Sequence, residues 1–208
     1  MNKAKLLYDV ITTLRGKENL RGTLEAKLEK GQTVVFSVRN DFEKQLGGGK
    51  TKLKMTTEME CEGHPGGGWH GCRGRFEHNE AWGRHHHFHG EFHGGIKGKL
   101  DRIAFMISVF QALQVETREG QETVLSLNTR DLPEDIRCLV QDKIRHRGMG
   151  HHHRGGFLQE FSQAGPVDVQ ITVLVNDKAE VKQASITAEA VQDGQERLTG
   201  QAEVNFVW

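Results

Sequence analysis

The sequence predicts an α+β protein, an antiparallel sheet packed around two or three helices, in a single domain over residues 1–208. Period-two alternation of apolar and polar residues recurs near both ends of the chain, which is the signature of half-buried strands. Three segments carry apolar residues at helical spacing instead. Two histidine- and glycine-rich stretches, residues 62–95 and 146–156, fit neither period and read as loops inserted into this body.

The elements follow in order. Residues 3–14 form an amphipathic helix with the stripe Leu6, Leu7, Val10, Ile11 and Leu14, and Gly16 ends it. Leu20, Gly22, Leu24, Ala26 and Leu28 then alternate with charged residues in a first strand. Lys30-Gly31-Gln32 turns the chain, and Val34, Phe36 and Val38 alternate in a second strand. Gly47-Gly48-Gly49 breaks it. A third strand puts Leu53, Met55, Thr57, Met59 and Cys61 on one face and runs into the first window.

Beyond that window, Ile103, Met106, Ile107, Phe110 and Leu113 mark a helix, which Phe105 and Val109 widen until it is expected to be buried on most sides. A strand over residues 122–129 follows. Asp131 as cap, Pro133 in the first turn, and Glu134 and Asp135 near the positive helix end open the next helix. Its inner stripe is Ile136, Leu139, Val140 and Ile144, Cys138 is expected in its core, and Gly148 is expected to stop it. The last forty residues alternate as a three-stranded meander turned at Asn176-Asp177-Lys178 and Asp193-Gly194. Inward positions of the strands are often small (Gly22, Ala26, Ala184, Ala188, Gly200, Ala202), which leaves room for a helix or ligand to approach.

Composition narrows the function. Lys and Arg total 28 and Asp and Glu total 28, which argues against a basic nucleic-acid binder. The longest apolar run, residues 103–110, is too short to span a bilayer, and no signal peptide opens the chain. The chain therefore reads as soluble and cytoplasmic, with Cys61, Cys72 and Cys138 as thiols. No phosphate-binding loop, Gly-x-Ser-x-Gly or His-Glu-x-x-His motif is present, so a non-enzymatic protein is expected.

All 12 histidines lie in the two windows, with 14 of the 25 glycines. Such concentration points to a task for imidazole, either metal ligation or pH sensing. In residues 85–93 the odd positions are His85, His87, His89, Glu91 and His93. Extended backbone puts these on one face as a ladder of ligating groups. Cys61, His64, His70 and Cys72 form a second candidate set, able to close a tetrahedral site for Zn²⁺ or Ni²⁺. The plainer reading leaves Cys61 on the inward face of its strand and Cys72 as an idle thiol. His151, His152 and His153 in the second window extend the site if the fold brings both loops together. These residues suggest storage, delivery or sensing of Zn²⁺, Ni²⁺ or Cu²⁺. The alternatives are a solvated tract with adventitious affinity, a pH switch, or, more weakly, Arg-Gly contacts to RNA.

The element order resembles the bacterial lipoprotein-carrier superfamily of LolA- and LppX-like half-barrels. The resemblance lies in residues 105–144, where an apolar helix leads through Val115-Glu-Thr-Arg-Glu-Gly-Gln-Glu-Thr-Val-Leu-Ser-Leu to a Leu-Pro-Glu-Asp-Ile helix, and in the closing meander of residues 167–206. It implies a curved, half-barrel-like sheet sheltering an apolar cavity, and hence a lipid or other hydrophobic small molecule as ligand. It supplies no catalytic residue. The first residues, 1–10, do not read as that family's export signal or lipidation site, so lipid or lipoprotein carriage is the weaker expectation.

Overall fold

The computed structural model describes residues 2–45, 51–61, 74–82, 95–118, 120–149, 161, 164–191 and 196–208. Helix α1 (Lys3–Arg15) leads into β1 (Asn19–Lys30), β2 (Thr33–Gln45), β3 (Thr51–Cys61) and β4 (Gly74–Trp82). Helix α2 (Gly95–Ala112) precedes β5 (Gln114–Thr117) and β6 (Thr123–Asn128). A 3-10 turn (Thr129–Asp131) and helix α3 (Glu134–Met149) follow, and β7 (Asp168–Val175), β8 (Val181–Val191) and β9 (Arg197–Val207) close the chain. This is an α+β fold with an antiparallel sheet, as expected.

The described strands form one sheet in the order β4-β3-β2-β1-β9-β8-β7-β6-β5. Each half is a meander of sequence neighbours. The halves meet where the first strand pairs with the last, from Arg21 opposite Val207 to Lys30 opposite Leu198. Every paired neighbour is antiparallel.

Register sorts the sheet into two unlike faces. Opposed residues share a face, so Phe36, Leu28, Gly200, Ala188 and Val169 stand together. So do Phe42, Gly22 and Phe206. Across β1 and β2 the opposite face is polar. There Arg21 pairs Glu43 at 2.6 Å and Arg39 pairs Glu25 at 3.0 Å, each across a strand boundary. Such exposed pairs contribute well under about 1 kcal/mol each, so they fix register more than stability.

Two buried clusters stabilise the apolar face, one toward each end of the strands. Leu6 and Val10 of α1 pack with Leu125, Val175 and Val181. Asn2 caps α1, its side chain accepting from the backbone N–H groups of Ala4 at 3.0 Å and Lys5 at 3.4 Å. At the other end Phe161, Ala164 and Val167 pack with Leu28, Ala190 and Leu198, and Ile144 of α3 joins them. Gln141 of α3 fastens this end, donating to the Val167 carbonyl and accepting from its N–H at 2.9 Å.

The structure departs from the sequence reading at several points. A bulge between Leu28 and Glu29 sets Val34 opposite Glu29, so Val34 is exposed and Val35 packs against the core in its place. The first window is interrupted by β4, so residues 62–95 are not a simple loop insertion. Asp131 does not cap α3. It closes the 3-10 turn and accepts from the Gln114 side chain, while Pro133 supplies the first helical carbonyl, to Arg137 N–H at 2.9 Å. Gly148 lies inside α3. Cys138 is exposed rather than core, with Sγ 3.7 Å from Glu134 Oε1. The stripe expected to bury α2 is open: Ile103, Met106, Ile107 and Phe110 are all exposed, and Leu113, just beyond the helix, is the stripe residue that reaches a core. The glycine run at 47–49 and the turn at 193–194 lie outside the described residues.

Candidate functional site

Among the described residues, the two clusters leave the middle of the apolar face partly open. One row crosses six strands: Val38 on β2, Ala26 on β1, Ala202 on β9, Ile186 on β8, Ile171 on β7 and Leu127 on β6. No member of this row is buried. Ile186, at its centre, is 46% exposed. Complete burial of such a side chain is worth about 1.5–3 kcal/mol, so an apolar cover over it recovers roughly 1 kcal/mol at this position alone. Across six strands the row spans about 24 Å.

Small side chains lower the middle of this row into a shallow trough. Ala26 and Ala202 sit side by side at its middle, with Ala184 and Ala188 flanking Ile186 on β8. The clusters built on α1 and on α3 with Phe161 rise at either end of the strands. Of the small inward residues legible in the sequence, Ala26, Ala184 and Ala202 thus lie in or beside this row, while Gly22 and Gly200 are buried and Ala188 packs against the cluster at the α3 end.

Asn40 interrupts the apolar face. It follows Phe36 and Val38 at two-residue spacing and precedes Phe42, opposite Leu24 on β1 and Thr57 on β3. Its Oδ1 is sealed from solvent and has no hydrogen-bond partner. Among the described residues it is the one buried side-chain oxygen or nitrogen in that condition. Asn40 escapes the sequence reading, in which the β2 alternation ends at Val38. One further step along that alternation exposes a lone polar residue between Val38 and Phe42.

A clasp closes the α1 end. Lys17 Nζ bonds Glu180 Oε1 at 2.6 Å and lies 4.9 Å from the centre of the Trp208 ring. Trp208 stacks on Phe206 at 5.7 Å and donates from Nε1 to the Val181 carbonyl at 2.7 Å. Phe206 meets Phe42 edge to face at 6.3 Å. The Lys17 hydrogen bond, and then that from Asn176, holds the Glu180 carboxyl below its ordinary range.

The sequence-predicted metal ligands are largely out of view. His64, His70, Cys72, His85, His87, His89, Glu91, His93, His151, His152 and His153 lie outside the described residues. Cys61 ends β3 opposite Phe36, which places it on the apolar face by register. His78 stands on β4 opposite Met55. Among the described residues no group of His, Cys, Asp and Glu is placed to hold a metal ion. Among them, too, no helix is long and apolar enough to cross a membrane.

Fold and site together define an α+β protein whose antiparallel sheet has one polar face and one partly covered apolar face. No family model matches the chain, and no curated protein matches it. Among solved structures it aligns with an N-terminal dehydratase from the difficidin assembly line at 13% identity and a TM-score of 0.17, over 99% of this chain and 83% of that one. The bifunctional dehydratase-cyclase domain in ambruticin biosynthesis aligns at 13% identity and a TM-score of 0.18, over 99% and 80%. A structure described for dehydratase substrate selection in the borrelidin and fluvirucin polyketide synthases aligns at 11% identity and a TM-score of 0.17, over 99% and 78%. At these TM-scores the alignments carry no argument about fold or activity.

Proposed function

We propose that the protein is a non-enzymatic binder of an apolar small molecule, which lies in the trough across the sheet and completes its core. The observation that carries this reading is the half-exposed Ile186 at the centre of an apolar face, set between two well-buried clusters. A folded protein gains by covering such a surface, and an apolar floor with alanines at its middle accepts an aliphatic chain. The half-barrel resemblance points to the same ligand class. Native mass spectrometry of gently purified protein is expected to show a retained hydrophobic molecule, and delipidated protein is expected to take up dodecanol. Ala202→Trp fills the trough and is expected to lower that uptake at least tenfold while circular dichroism stays unchanged. Delipidated wild type that takes up no dodecanol sinks the reading.

The histidine ladder supports a second reading, that the protein also binds a transition metal. The chain enters this segment from an extended strand, β4, which ends at Trp82. An extended backbone over residues 85–93 would put His85, His87, His89, Glu91 and His93 on one face. Calorimetric titration of untagged protein at pH 7.5 with Zn²⁺, Ni²⁺ and Cu²⁺ is expected to show uptake that is lost when the four ladder histidines are replaced by Ala. Absence of uptake of all three ions refutes it.

A further inference from the structure

We infer that Asn40 selects the ligand: the molecule held in the trough carries a hydrogen-bond donor, a hydroxyl or an amide N–H, on an otherwise aliphatic body, and Asn40 Oδ1 accepts from it. The inference rests on the apolar-ligand reading and adds a polar requirement to it.

Three observations converge on this residue. On the apolar face, positions 36, 38 and 42 of β2 are Phe, Val and Phe, and the facing β1 positions are Gly22, Leu24, Ala26 and Leu28. Asn40 alone breaks that surface. Its oxygen is sealed from solvent and has no protein partner, and leaving a buried acceptor unpaired costs about 1–3 kcal/mol. Leucine at this position would be nearly isosteric and free of that penalty, so the carboxamide is a cost to the empty fold. Finally, Asn40 lies one alternation from Val38, the β2 end of the trough, in the adjoining row with Leu24, Val204, Ala184 and Val173. A chain lying along the trough therefore passes beside Asn40. The terminal torsion of an asparagine is broad, so rotation about χ2 turns the oxygen to a ligand group without moving the backbone.

A carboxamide is a neutral, directional partner. It does not compensate a buried carboxylate or phosphate, which requires a cation. The inferred class is thus a fatty alcohol, a fatty amide or another molecule with the same donor on an aliphatic chain.

Competition against a bound fluorescent apolar dye separates the possibilities. Delipidated wild type is expected to bind dodecanol and dodecanamide about tenfold more tightly than dodecyl methyl ether, which has a similar chain and no donor. Asn40→Leu is expected to abolish that preference, keep binding the ether, and melt at a higher temperature than wild type in the absence of ligand. If all three probes bind wild type equally, or if Asn40→Leu keeps the preference, the assignment of Asn40 is overturned and the apolar site stands. A preference for the ether overturns it too, because it shows the amide nitrogen facing the ligand. If no probe displaces the dye from wild type, the apolar site itself falls.

Discussion

Gly22 shows how closely the sheet is fitted around its apolar face. It faces Phe42 on one neighbouring strand and Phe206 on the other. A Cβ at this position would lie 2.2 Å from the Asn205 carbonyl oxygen and 2.9 Å from Phe42 Cζ. The first of these is backbone and cannot swing away. Gly22→Ala is therefore expected to force β1 and β9 apart locally and to destabilise the protein by about 1–3 kcal/mol, read as a lowered urea midpoint with unchanged slope. A shift below about 0.5 kcal/mol, the ordinary range of a neutral surface change, would show that the strands absorb the methyl group. At Asn40 the same face carries the opposite kind of defect. There the side chain is half-buried and its oxygen has no partner. The two positions define what a ligand must do: lie over small residues without displacing the Phe42 ring, and answer one acceptor.

At the scale of elements, what the sequence made legible was whatever depends on local period. The alternation of Leu20 to Leu28 and of Val169 to Val175, the helix over Leu6 to Leu14, and the turn at Asn176 all lie where the residues imply. Asn176 makes its turn through its own side chain, accepting from the N–H groups of Lys178 at 3.0 Å and Glu180 at 2.9 Å. What escaped was set by partners distant in sequence. β4 has weak alternation, Phe76, His78, Glu80 and Trp82, and is a strand because β3 offers it an edge. The bulge that exchanges Val34 for Val35 follows from pairing with Glu29, which no single-strand pattern reveals. Helix α2 has the composition of a buried helix, yet its stripe is exposed, because burial depends on where the helix lands and not on its period. The trough was half legible for the same reason. Its small floor residues are visible in the sequence, but its openness at Ile186 follows from α1 and α3 packing toward opposite strand ends. The histidine ladder is the converse case, conspicuous in composition and without a described geometry.

At the scale of the whole molecule, the two halves of the sheet are joined by the seam of β1 with β9, and the clasp of Lys17, Glu180 and Trp208 ties that seam to the β7–β8 turn and to the end of α1. The clasp gathers segments from both ends of the chain, so its strength bears on how firmly the trough is framed at the α1 end. Its ionic member sets a pH dependence whose sign is fixed. The Glu180 carboxyl is lowered in the folded state, chiefly by the hydrogen bond from Lys17 and next by that from Asn176. A group depressed on folding contributes stability above its unfolded pKa, and the contribution is lost as pH falls through the folded pKa. Wild type is therefore expected to melt above Glu180→Gln at pH 7. The gap should narrow as pH falls below the ordinary carboxylate range, near 4, and vanish once Glu180 is protonated in both states. Added salt should narrow the pH 7 gap as well, because both partners are partly open to solvent. A gap in melting temperature that stays constant from pH 7 to pH 3 would mean that Glu180 acts there through shape and not through charge, and that the clasp is held by the Trp208 stack and its bond to Val181 alone.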